Sequence, residues 1–170
     1  MTTLEAIPNI DPQVECVKEA VKATFAMVCG AEPTYTGEAS DDGIGEQIIG
    51  VISLLGERSW SLMMCLPALT ATAIAQKFCG FDIPYESADM GDFVGELINI
   101  FAGGVTARLE GIGIRAEMSL PTMVRGRDIT LPLPEGLQKA RLAFSSSDGD
   151  FTVRLVAGDP RAATLRRSGA

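Results

Sequence analysis

From Ser87 to about Glu110 the chain keeps a single helical period. At about 100° per residue, Met90, Val94, Leu97, Ile98, Phe101, Val105 and Leu109 collect on one side of that helix. A helix of this kind holds only with its apolar side buried against another layer, so it constrains the fold more than any other segment. Ser87 stands at an N-cap position, and Asp89 and Asp92 fall in the first turns, where the helix dipole favours negative charge. Gly111 and Gly113 close the pattern.

The opposite side of the same helix is unusual. Asp92, Glu96, Asn99 and Gly103 fall at i, i+4, i+7 and i+11, one narrow stripe facing away from the core. Asn is a poor mid-helix residue because its side chain competes for backbone hydrogen bonds. The chain has only two, Asn9 and Asn99, so compositional habit does not put one here. Gly103 and Gly104 each cost about 1 kcal/mol relative to Ala inside a helix, and a Gly beside Asn99 lets a partner approach closely. Polar residues on an exposed face are ordinary, and a Glu-x-x-Asn is short. Yet the chemistry open to such a pair is specific. A carboxamide exchanges no proton near neutral pH but can orient a water through its C=O and NH₂. Positioning and electrostatics carry most of phosphoryl transfer. A carboxylate one turn away can hold a Lys on another protein.

The rest of the chain alternates helical and strand periods. Asp11 as N-cap and Pro12 at N1 open a first helix, with Val14, Val17, Val21, Phe25 and Val28 on one stripe and Gly30 at its end. A strand is expected over Thr34–Glu38, then a turn at Asp41-Asp42-Gly43. Gln47–Leu55 and Trp60–Leu66, split by Gly56-Glu57-Arg58-Ser59, form a hairpin pattern of central strands, with Trp60 expected in the core. Pro67 opens a helix to about Phe78, closed near Gly80. A strand over Ala116–Leu120 runs into Pro121, and Arg127–Gly136, with Pro132 and Pro134, is expected as loop. Lys139–Ser145 and Phe151–Ala157 alternate strictly around Asp148-Gly149, a half-buried antiparallel hairpin. The fold class is therefore α+β, layered: a mainly antiparallel sheet packed with one long helix and two others. At 170 residues one domain is expected, over 11–158, with a flexible start at 1–10 and a disordered, fraying tail at 159–170.

Composition removes several function classes. Asp plus Glu is 22 against 14 Lys plus Arg, a net charge of −8, which disfavours a nucleic-acid or anionic-membrane surface. Histidine is absent, so Ser-His-Asp and Cys-His catalysis and His-ligated zinc are excluded. Cys16, Cys29, Cys65 and Cys79 form no C-x-x-C pair and are expected to be reduced, buried and structural. There is no G-x-x-x-x-G-K-[ST] loop to hold a nucleotide. Neither a signal-like start nor a span-length apolar run is visible, the longest apolar stretch lying near Ile48–Leu55, so a soluble cytoplasmic protein is expected. With no cofactor, nucleophile or base of its own, the stripe fits an enzyme that completes an active site carried by another protein.

The run from Gly91 to Gly104, Gly-Asp-Phe-Val-Gly-Glu-Leu-Ile-Asn-Ile-Phe-Ala-Gly-Gly, resembles the active-site helix of the CheC/CheX/FliY family of chemotaxis phosphatases. The family pattern is Asp or Ser, three residues, Glu, two residues, Asn, and a Pro further on. Asp92, Glu96 and Asn99 match in type and spacing, and Pro121 follows Asn99 by 22 positions. The resemblance covers roughly residues 10–158. CheC-like members carry a second Glu-x-x-Asn on the first helix. Here Glu15 is followed by Lys18 and Glu19 by Lys22, so the chain looks CheX-like. FliY-like members carry an added flagellar switch domain, for which this chain is too short.

The resemblance implies hydrolysis of the aspartyl phosphate of a CheY-type response regulator. Asn99 would orient the attacking water and Glu96 would pair with the regulator's phosphate-site Lys. Asp92 would support the helix or touch the partner, and Pro121 would shape a strand end near the site. Mg²⁺ would come with the regulator. CheX-like members are similar in being homodimers that join β-sheets, so a homodimer is expected. The alternatives are a non-catalytic interaction module of the same fold, and a small-molecule domain with a deep apolar pocket.

Overall fold

Pro12 has no amide to satisfy, and it sits in the first turn of α1 (Asp11–Cys29). The computed structural model describes residues 10–40, 43, 45–133 and 136–158. Ile10, not Asp11, is the N-cap of α1. Asp11 is already helical, and its charge meets the dipole from inside the first turn. Gly30 ends the helix in the left-handed conformation, φ 76°, and its amide donates to the Ala26 carbonyl.

The strands are β1 (Thr34–Glu38), β2 (Glu46–Gly56), β3 (Trp60–Pro67), β4 (Ala116–Met118), β5 (Thr122–Arg127), β6 (Lys139–Ser146) and β7 (Gly149–Ala157). Between β3 and β4 lie α2 (Ala68–Cys79) and α3 (Ala88–Gly111). Pro67 is the N-cap of α2 and not its first helical residue. The sheet order is β1-β6-β7-β3-β2-β4, with β5 also on β2, and every pairing is antiparallel. This is the layered α+β architecture expected from the periods.

One face of the sheet carries the core. Ile48, Ile52, Leu54, Trp60, Leu62, Met64, Leu66, Leu142, Phe144, Phe151, Val153 and Leu155 point to the same side, and all three helices cover them. Phe25 of α1 stacks on Phe151 at 4.3 Å between ring centroids, and Phe151 stacks on Phe144 at 5.3 Å. Burying rings of this size stabilises by roughly 1.5–3 kcal/mol each. Of the four cysteines, all free, only Cys65 is fully buried; the other three sit half-buried at the helix faces.

The outer edge of β2 departs from the sequence reading. The strand expected over Ala116–Leu120 stops at Met118, and an unforeseen strand, β5, follows Pro121. Leu54 pairs with Met118 and Val51 with Thr122. Two residues of β2 thus face three, Ser119 to Pro121, which is a one-residue bulge. Pro121 lacks an amide to donate, which suits that position. The Asp41-Asp42 turn, Pro134, residues 1–9 and the tail at 159–170 lie outside the described residues.

Candidate active site

Alternation in β2 and glycine in α3 set where the long helix lies. A Cβ on Gly50 would come to 3.3 Å of the Ile98 Cβ and 3.4 Å of a Val94 methyl, so α3 rests almost on the β2 backbone. On its other flank, a Cβ on Gly104 would lie 3.6 Å from that of Ala20, where α3 meets α1. The Ser87 hydroxyl caps α3 by accepting from the Met90 amide at 3.2 Å. Met90, Val94, Leu97, Ile98, Phe101, Val105 and Leu109 are all buried, as their period requires.

This packing turns the stripe outward. Asp92 and Glu96 are exposed, and Asn99 and Gly103 are half-exposed. Among the described residues, no side-chain hydrogen bond or ion pair engages Asp92, Glu96 or Asn99. A Cβ on Gly103 would meet nothing within 4 Å, so the two adjacent glycines differ: Gly104 packs and Gly103 faces open space. Four of the five residues singled out thus share one ridge. Pro121 lies apart from them in the bulge at the sheet edge, half-buried.

The ridge has two unlike flanks. On one, Phe93 meets Phe78 at 5.9 Å, and Phe78 and Phe81 remain 45% and 63% exposed. On the other lies β5, which the sequence reading missed. A Cβ on Gly95 would lie 3.3 Å from the Met123 Cε. Arg125 donates from Nη2 to the Ser87 carbonyl at 2.9 Å, has Nη1 3.6 Å from Glu86, and places its guanidinium 5.4 Å from the Tyr85 ring centre. Burial pushes the Tyr85 phenol up, opposed by the Arg125 cation beside it. The available signal was the spacing of Gly91 and Gly95 on α3, which opens a groove for side chains from another element.

The geometry offers an amide and two carboxylates to something outside the chain. Beyond Gly103 a groove of about 670 Å³ continues the ridge, with Thr106 and Glu110 facing Leu55, Glu57 and Glu117. It is open and lined by three Glu against one Arg, Arg115, unlike the deep apolar pocket that a small-molecule domain needs. Among the described residues no cluster of three or more Cys, Asp or Glu could hold a metal ion, and no helix is long and apolar enough to cross a membrane.

Comparison with known proteins agrees with this architecture. Residues 48–145 match the family model described as chemotaxis phosphatase CheX. The CheY-P phosphatase CheX of Thermotoga maritima is 28% identical over 145 residues, 82% of this chain and 92% of that protein. Chemotaxis protein CheX from Vibrio vulnificus superposes with a TM-score of 0.78 at 18% identity, covering 89% of this chain and 99% of that one. A chain of the CheX-CheY-BeF3-Mg²⁺ complex from Borrelia burgdorferi gives 0.68 at 19% identity, covering 89% and 100%. The family model spans more than half of the sequence and includes the whole ridge, and the chain therefore belongs to the chemotaxis phosphatase CheX family.

Proposed function

We propose that this protein accelerates hydrolysis of the aspartyl phosphate of a CheY-type response regulator. Asn99 orients the attacking water and Glu96 pairs with the regulator's phosphate-site Lys. The observation that carries this reading is the Glu96–Asn99 pair, unengaged by side-chain bonds among the described residues, with Glu96 exposed and Asn99 half-exposed on a helix otherwise locked into the core of a CheX-family fold. A relative bears the name CheY-P phosphatase, and a structural neighbour was solved with CheY, BeF3 and Mg²⁺, which supports the same partner and a metal that arrives with it.

The chemistry asks little of this chain. Water forms a bond to phosphorus as the bond to the regulator's aspartyl oxygen breaks, and the water proton passes to phosphate or solvent. The leaving group is a carboxylate with an ordinary pKa of about 3.9, so it departs unprotonated and needs no general acid. An amide that holds the water in line supplies the missing element. Asp92 borders the docking surface, Gly103 leaves room for the regulator's backbone, and Pro121 shapes the strand edge beside the helix. The working unit is a homodimer in the cytoplasm. Phosphate release from a phosphorylated, Mg²⁺-loaded regulator, wild type against Asn99→Ala, tests the reading. Binding without release would make the protein an interaction module instead.

A further inference from the structure

The bulge at Pro121 changes which side chains face the helices. Residues directly opposite across a pair share a sheet face. Met118 stands opposite Leu54 and Ala116 opposite Gly56, so even-numbered residues face α3 in β4. Met123 stands opposite Gly50 and Arg125 opposite Ile48, so odd-numbered residues face it in β5. A one-residue slip exchanges the two faces of a strand. Without the bulge, Thr122 and Val124 would point at α3. With it, Met123 enters the notch at Gly95 and Arg125 lies over Gly91, its Nη2 4.0 Å from where a Cβ would be.

Resting on the function proposed above, we infer that Arg125 is a positioning residue for the ridge, brought to α3 by the register switch at Pro121. Its charge-assisted bond to the Ser87 carbonyl holds the first turn of α3, and Tyr85 backs the guanidinium. The ion pair to Glu86 adds little, because that carboxylate is 76% exposed. Arg125 meets α3 at Ser87 and Gly91, and Met123 beside it meets Gly95, level with Asp92 and Glu96. Asn99 lies a turn further on, fixed by the fully buried Ile98 and Phe101. Arg125 therefore governs docking through Glu96 more than water orientation through Asn99.

The test compares Arg125→Ala and Arg125→Lys with wild type. Amide hydrogen exchange on the free protein should quicken about tenfold over residues 90–96 in Arg125→Ala and stay unchanged over 101–109. Affinity for a BeF3-activated CheY-type regulator, and KM for the phosphorylated one, should weaken about fivefold with kcat within about twofold. Arg125→Lys, which keeps the charge but loses the planar fork, should recover part of the affinity. Faster exchange with affinity unchanged would make Arg125 merely structural and overturn the inference. Unchanged exchange would overturn it too. If the wild type neither binds nor dephosphorylates a regulator, the functional reading fails, and the exchange arm still decides whether Arg125 holds the helix.

Discussion

Met123 fills the notch that Gly95 leaves in α3, its Cε 3.3 Å from the site of the missing Cβ. The other close approach, Gly50 against Ile98, has the same spacing but different neighbours. A thioether end can swing aside, whereas branched Ile98 and Val94 are held in the core. Gly95→Ala should therefore change stability by less than about 1 kcal/mol, its helix propensity offsetting the contact. Gly50→Ala should cost about 1–3 kcal/mol by overpacking. Urea denaturation measures both, and equal losses would contradict the difference.

Gly103 sits in a helix with open space where its Cβ would be. Gly103→Ala should stabilise the protein by about 1 kcal/mol. The added methyl stands one turn from Asn99, so if the regulator docks on this ridge as proposed, turnover should fall. A variant that is more stable and fully active would show that nothing approaches the helix there.

Burial, reinforced by the nearby Asp148 carboxylate and opposed by Lys77, pushes the Cys29 thiol from its ordinary 9.0 up to about 11. The folded state thus holds this proton more tightly than the unfolded chain. The corresponding stability is complete below pH 9.0 and is lost as pH rises towards about 11. Urea midpoints should fall more steeply across that window in wild type than in Cys29→Ser. Parallel declines would contradict the assignment.

Among the described strands, β1 forms one edge of the sheet and β4 with β5 the other. Joining sheets through an edge would give a homodimer. Light scattering should report twice the chain mass of 18.0 kDa at micromolar concentration, and a mass of 18.0 kDa would rule that assembly out.

Local periodicity made much of this molecule readable. The α3 wheel separated core from ridge because 3.6-residue spacing alone decides it. The β6–β7 hairpin followed from strict alternation about Asp148-Gly149, and Phe144 pairs with Phe151 as that alternation demands. How the two hairpins join, β7 on β3, and where β1 adds, on β6, was not legible, because those pairings join segments far apart in sequence. Strand β5 was missed for a related reason. Val124 is 40% exposed and Gly126 has no side chain, so apolar alternation is weak. What holds Met123 and Arg125 in place lies on α3, and the bulge beside Pro121 that aims them there carries no pattern of its own. Glu96, Asn99, Asp92 and Gly103 were legible as a group because one helix carries all four. The flank that braces them was not.

The decisive measurement is the rate of phosphate release from a phosphorylated, Mg²⁺-loaded CheY-type regulator with wild type and with Asn99→Ala. Asn99 is half-exposed and makes no side-chain bond among the described residues, so the substitution should leave stability the same or raise it by about 0.5 kcal/mol. Wild type should accelerate release, and Asn99→Ala should lose at least about a hundredfold of that acceleration while staying folded. A folded Asn99→Ala protein as active as wild type would contradict the assignment of the reaction to this ridge.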